Sequence, residues 1–241
     1  MRKESGEKNY KARLFCFPFA GGSASTYKDW AANFCQIEVC AINLPGRGFR
    51  FQEKAHSAMS TLVDALVEAL SPELDIPYYF FGHSMGTMVA FELTRKLRAL
   101  NKALPRHLFL SARPGPSKLA ENNLYTEISD SDLITMLEAL NGTDKDILAN
   151  QELLDFMLPS LRADMNIVQT HVYAQEDPLQ TNLTVFGGLT DPTVQEQELF
   201  LWRLQTSKAF RLHMFEGDHF YLNTQQKLLT EIINKSIQRD L

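Results

Sequence analysis

No stretch of this 241-residue chain is apolar for long enough to cross a bilayer as a helix, so a membrane-spanning protein is not expected. Cysteine is scarce. Cys16, Cys35 and Cys40 form an odd set without paired metal spacing. Neither a disulfide framework nor a metal site is expected from them; they read as partly buried thiols in a reducing cytoplasm. Basic charge is not in surplus either, since 24 Lys and Arg stand against 29 Asp and Glu, for a net charge of −5. That balance argues against a nucleic-acid binder. Internal repeats, heptads and low-complexity tracts are absent. Residues 1–13 are polar and lack the apolar centre of a secretory signal, so residues 1–11 read as a flexible lead-in. What is present is an ordinary globular composition, 44% hydrophobic and 22% charged, on a length that fits a single domain over 1–241.

The apolar pattern predicts alternating strands and helices. Leu14–Phe19 is a buried strand feeding the glycine loop Ala20-Gly21-Gly22-Ser23. Ile37–Asn43 is a second strand, stopped by Leu44-Pro45-Gly46-Arg47-Gly48. Residues 59–70 place Leu62, Val63, Leu66, Val67 and Leu70 on one helical face. Tyr78–Phe81 is an aromatic strand, a helix follows Gly86 through Leu100, and His107–Ser111 is the next strand. Between about 113 and 180 no strand is predicted; Ser131–Leu140 and Gln151–Leu161 read as helices of an insertion. The alternation resumes with strands Leu183–Phe186 and Arg211–Phe215 and helices near 195–206 and 224–238. This order predicts an α/β fold with a mostly parallel central sheet flanked by helices.

Gly82-His83-Ser84-Met85-Gly86 sits between an apolar strand and a helix. This G-x-S-x-G pattern is the nucleophile elbow of the α/β-hydrolase fold, in which a sharp turn lifts the serine and leaves no room for neighbouring side chains. A serine hydroxyl needs a base. Of the six histidines, His219 alone follows a strand in a loop on the predicted ligand edge of the sheet. His83 occupies the variable elbow position and His213 lies mid-strand; His56, His107 and His171 have no comparable setting. Asp191, after the Gly187-Gly188 turn, completes the order Ser, Asp, His, with Asp218 and Glu216 as rival carboxylates. The oxyanion donors are expected at the backbone N–H of Met85 and of Ala20, with Phe19 and Gly21 as neighbouring choices.

Several segments together resemble the type II (external, editing) thioesterases of nonribosomal peptide and polyketide biosynthesis. They are FPFAGGSAS at 17–25, LPGRG at 44–48, FGHSMGTMVAFEL at 81–93, LPSLRADMNIVQTHVY at 158–173, the Gly187–Asp191 turn with Pro192, and GDHFYL at 217–222. Pro159, Leu161, Arg162, Ala163 and Asp164 resemble that family's lid. The resemblance carries nucleophile, acid and base onto Ser84, Asp191 and His219. It implies a lid over about 113–180, a cytoplasmic monomer, and hydrolysis of acyl or aminoacyl thioesters on the phosphopantetheine arm of carrier protein domains. Neither metal nor organic cofactor is implied. Carrier domains are acidic, so long-range steering by this acidic chain is not expected; Lys96, Arg98, Lys102 and Arg106 are the local basic candidates. The apolar lid residues Leu133, Met136, Leu137, Leu140, Phe156 and Met157 read as pocket lining or helix core. The alternatives are a small-ester carboxylesterase or lipase-like hydrolase, and a non-catalytic carrier-binding protein.

Overall fold

The computed structural model describes residues 10–116, 129–143 and 145–241. The predicted lead-in therefore lies almost wholly outside the described residues, as does part of the predicted insertion. Six strands form one sheet among the described residues: β1 (Ala12–Phe17), β2 (Ile37–Ala41), β3 (Tyr78–His83), β4 (His107–Ser111), β5 (Asn182–Gly188) and β6 (Phe210–Phe215). Their order is β2-β1-β3-β4-β5-β6 and every pairing is parallel. This is the α/β-hydrolase fold expected from the sequence.

Side chains alternate across the pleat, and each face collects its own core. Phe15, Phe17, Phe80, Leu108, Leu110, Leu183 and Val185 face helices α1 (Met59–Leu70) and α2 (Met85–Ala99). Leu14, Cys16, Tyr79, Phe81, Phe109 and Phe186 face Tyr27, Trp30 and the C-terminal helix Gln226–Asp240. Because both faces are covered, the strands are near-continuous apolar runs rather than alternating ones. Each fully buried phenylalanine contributes about 2 kcal/mol through removal of its surface from water.

The chain leaves β1 toward β2 and returns as β3 on the other side. Loops after β1 and β3 therefore diverge, and a crevice opens at their carboxyl ends. Both Phe19-Ala20-Gly21-Gly22 and Ser84 fall at that point.

Several boundaries differ from the sequence reading. β1 ends at Phe17, because Pro18 cannot donate to a ladder and Phe19 turns into the loop. β2 ends at Ala41, two residues short of Asn43. Between β4 and β5 the described residues hold helices α3 (Asp130–Leu140), α4 (Lys145–Leu148) and α5 (Gln151–Thr170) and no strand. The side chain of Asn150 caps α5 by accepting from the Leu153 N–H at 3.2 Å. α5 runs through Pro159 and past Leu161, where the sequence reading stopped. Its buried face continues through Leu154, Leu158, Leu161, Asp164 and Ile167, which outweighs the hydrogen bond lost at Pro159. Leu133 of α3 is buried against Leu154, Leu158 and Leu161, and is core. Phe156 is exposed and leans on Phe51, with ring centres 5.6 Å apart. The helix expected near 195–206 is a short α-helix, α6 (Glu196–Phe200), continued as a 3₁₀ turn over Leu201–Gln205.

Candidate active site

Ser84 joins β3 to α2 with φ 53° and ψ −115°, a backbone conformation that side chains rarely adopt. The glycines around it are required. A Cβ on Gly82 would lie 2.1 Å from the Gly86 carbonyl oxygen, and one on Gly86 would lie 2.1 Å from that of Phe17. Hydrogen bonds hold the turn in place. The Ser84 N–H donates to the Ser111 carbonyl at 2.8 Å. Thr87 Oγ1 is within 2.8 Å of the carbonyl oxygens of both Gly82 and Ser111.

His219 follows β6 and Asp191 follows β5. Their loops are pinned together by Leu189 N–H donating to the Phe215 carbonyl at 2.8 Å and Thr190 N–H to that of Gly217 at 3.0 Å. A Cβ on Gly188 would stand 2.3 Å from the Asp218 carbonyl oxygen, so that close approach needs glycine. The result is a hydrogen bond of 2.7 Å between His219 Nδ1 and Asp191 Oδ2. A carboxylate only accepts, so Nδ1 carries a proton, and in the neutral ring Nε2 is left with the lone pair. Asp191 Oδ1 accepts from the Thr193 N–H at 2.8 Å and the Thr193 hydroxyl at 2.7 Å. Burial pushes the Asp191 carboxyl up, but the hydrogen bond and charge of His219, with the two Thr193 donors, outweigh it and hold the carboxyl below its ordinary value.

Asp218 does something else. Its Oδ1 accepts from the Phe220 N–H at 2.8 Å, which shapes the turn. Among the described residues neither Asp218 nor Glu216 bonds the His219 ring. The imidazole is buried, and its ring centre lies 5.3 Å from those of both His83 and Phe220. No hydrogen bond between Ser84 Oγ and His219 is formed among the described residues; such contacts tighten when substrate binds.

His83 turns away from solvent. Its Nδ1 is 2.8 Å from Ser111 Oγ, which is itself 2.5 Å from the Tyr221 hydroxyl. Burial, reinforced by the neighbouring His219, pushes the His83 pKa well below the usual range, so the ring is neutral and serves packing. The other histidines have separate partners: His107 with Thr184 and Asp240, His171 with Glu92, His56 with Thr61, and His213 stacked on Phe186. Among the described residues no group of three or more His, Cys, Asp or Glu side chains is arranged to hold a metal ion.

Of the candidate oxyanion donors, the Gly21 N–H is already engaged, donating to Asp164 Oδ2 at 2.8 Å. The Gly22 N–H donates to the Phe19 carbonyl at 2.9 Å and closes the turn. The N–H groups of Ala20 and Met85 make no hydrogen bond among the described residues. Sequence reasoning missed Thr193, Ser111, Tyr221 and the Asp164 contact. Thr193 had a local signal, a hydroxyl two residues after the acid; the others join segments far apart in the chain.

An open groove of about 840 Å³ lies between residues 46–57 and α5, with Phe51, Phe156, Pro159 and Met165 among its walls. Ser84, Asp191 and His219 do not line it. Three of the four basic candidates are occupied: Lys96 pairs with Asp64 at 2.7 Å, Arg98 with Glu176 at 2.5 Å, and Arg106 donates to the Asp240 carbonyl at 2.5 Å.

A family model described as the thioesterase domain matches residues 12–237. The chain is 41% identical over 229 residues to a Brevibacillus parabrevis protein named linear gramicidin dehydrogenase LgrE, covering 93% of this chain and 87% of that one. It is 38% identical to the gramicidin S biosynthesis protein GrsT of Aneurinibacillus migulanus, covering 95% and 90%. Among solved structures, RedJ, a thioesterase of the prodiginine pathway in Streptomyces coelicolor, superposes with a TM-score of 0.87 at 30% identity, covering 96% of this chain and 86% of that one.

Proposed function

The chain belongs to the thioesterase domain family, and from that membership we propose that it is a serine thioesterase with Ser84 as nucleophile, His219 as base and Asp191 as orienting acid. Its substrates are acyl or aminoacyl groups on the phosphopantetheine arm of carrier protein domains. Its task is to clear stalled or misprimed intermediates of nonribosomal peptide or polyketide synthesis. The observation that carries the reading is the strained serine at the sheet's reversal point, beside a histidine whose Nδ1 is held by a buried carboxylate.

The reaction runs in two steps. Ser84 Oγ attacks the thioester carbonyl while His219 Nε2 takes the hydroxyl proton, and Asp191 stabilises the imidazolium. The tetrahedral oxyanion accepts from the Ala20 and Met85 N–H groups, each contributing about 3 kcal/mol. Collapse expels the carrier thiol, protonated by His219. Water, deprotonated by His219, then attacks the acyl-serine; collapse breaks the acyl–Oγ bond, Ser84 Oγ takes the proton back from His219, and the acid leaves.

One relative is named a dehydrogenase, an activity that would call for a dinucleotide site. That fold opens a helix directly after its glycine loop, so that the helix N-terminus receives the pyrophosphate. Here Gly21-Gly22 leads into the 3₁₀ turn Ala24–Tyr27, and Gly46-Arg47-Gly48 into the 3₁₀ turn Gly48–Arg50. Neither loop presents a helix of that kind; the Gly82–Gly86 turn does open α2, but backbone crowds both of its glycines and it holds Ser84 at its apex, which favours the hydrolase.

Ser84→Ala should abolish acyl release while leaving carrier binding intact. Turnover of acyl-carrier, acyl-coenzyme A and nitrophenyl esters should rank the carrier thioester first. Faster hydrolysis of the free esters would reject the carrier assignment and favour a small-ester hydrolase.

A further inference from the structure

The loop Phe19–Gly22 is short and glycine-rich, yet one of its peptide groups must point at a single oxygen. Its fixing point comes from far along the chain. Asp164 on α5 is 1% exposed. Its Oδ2 accepts the Gly21 N–H at 2.8 Å, next to the proposed donor Ala20. The same carboxylate is gripped by the guanidinium of Arg47, through Nη2 at 2.8 Å to Oδ1 and through Nη1 to Oδ2. Arg47 is itself 5% exposed. Its carbonyl accepts from Asn43 Nδ2 at 2.9 Å, and its Nη1 reaches the Gly22 carbonyl at 3.4 Å. One turn earlier on α5, Leu161 Cδ1 lies 3.3 Å from where a Gly21 Cβ would be. Gly21 has φ +77°, a conformation with no stiffness of its own.

A buried ion pair that served only to join α5 to the Leu44–Gly48 loop would not need an oxygen on the Gly21 amide. Charge-assisted hydrogen bonds are strong and directional, and a buried carboxylate with a bidentate partner has little freedom to move. We propose that Asp164, clamped by Arg47, is a positioning residue for the oxyanion loop: it fixes the Gly21 peptide so that the Ala20 N–H faces the reacting carbonyl. This inference rests on the proposed roles of Ser84 and Ala20.

The test uses the full chain with a nitrophenyl ester, and phenylboronic acid as a tetrahedral adduct former on Ser84. Asp164→Ala should lower kcat about 100-fold, as expected when a reacting group is misplaced by about 1 Å. Asp164→Asn keeps an acceptor for Gly21 but turns an amide toward Arg47, and its kcat should fall between the two. KM should change little, and the boronate inhibition constant should rise in step with the fall in kcat. A folded Asp164→Asn with wild-type kcat and wild-type boronate affinity overturns the proposal. So does a loss of activity that vanishes when the assay is cooled well below the variant's melting midpoint, since that marks a purely structural pair. If Asp164→Ala does not fold, Asp164→Asn decides. Ser84→Ala separates the layers: an active Ser84→Ala rejects the underlying nucleophile assignment, whereas an inactive one beside a fully active Asp164→Asn rejects only the positioning role.

Discussion

Two aspartates beside one histidine carry different work, and the difference is set by what each can reach. Asp191 arrives from β5 across the loop and meets Nδ1 at 2.7 Å, while Asp218, the chain neighbour of His219, spends its oxygen on the Phe220 N–H. Asp191→Asn should lower kcat about 10³–10⁴-fold with KM little changed, because an amide favours the wrong imidazole tautomer. Asp218→Asn keeps an acceptor for the turn and should leave turnover near wild type. Steady-state kinetics on the pair checks both; if Asp218→Asn alone is inactive, the acid has been misassigned. Asp191 also has a consequence for stability. Its carboxyl is held below its ordinary value, so its stabilising contribution is present above the unfolded-state pKa and is lost as pH falls through the lower folded one. That window lies below about pH 4.

At the scale of elements, the end of β1 and the start of α2 approach closely in the site. A Cβ on Gly86 would meet the Phe17 carbonyl oxygen at 2.1 Å and that of Pro18 at 2.7 Å. Backbone on both sides leaves no flexible group to yield. Gly86→Ala should therefore destabilise the protein by about 3 kcal/mol, the upper range for overpacking, and part the oxyanion loop from the elbow. A lowered urea midpoint together with lost turnover is the expected result; an unchanged midpoint would contradict the packing described. On α2, Lys96 and Arg98, two of the four residues that read as a carrier-facing patch, are tied down by Asp64 and Glu176. Exposed pairs of this kind contribute little to stability, but they do neutralise the local field that a docking patch would need.

For the whole molecule, the buried histidines set the acid response. Burial pushes His107 down to about 4, despite the raising effect of Asp240. Burial holds His83 well below the ordinary value and lowers His213 as well. In each case the folded pKa lies under the unfolded one, so between about pH 6.5 and pH 4 the unfolded chain binds protons that the folded chain refuses. Stability should fall across that window as pH drops, before Asp191 contributes. Urea midpoints at pH 7 and pH 5 test this, and His107→Gln should reduce the difference between them. Equal midpoints at the two values would show that burial of these rings is not linked to acid stability.

Much of this architecture was legible in the sequence because it is written locally. Apolar runs, breaker clusters and a 3.6-residue period located β3, β4, α1 and α2 closely. The G-x-S-x-G turn announced its own strain, since few other residues tolerate that geometry. Ser84, Asp191 and His219 could be named because each ends or follows a strand, and a parallel sheet brings all carboxyl ends to one edge. Contacts between segments distant in the chain have no such signature. The run of α5 past Pro159 was decided by the face it buries. The grip of Asp164 on Gly21 and Arg47 spans well over a hundred residues of sequence. Local propensity and periodicity determined which elements form and in what order; only packing, which selects among side chains that are near in space and remote in sequence, decided how the loop Phe19–Gly22 is held.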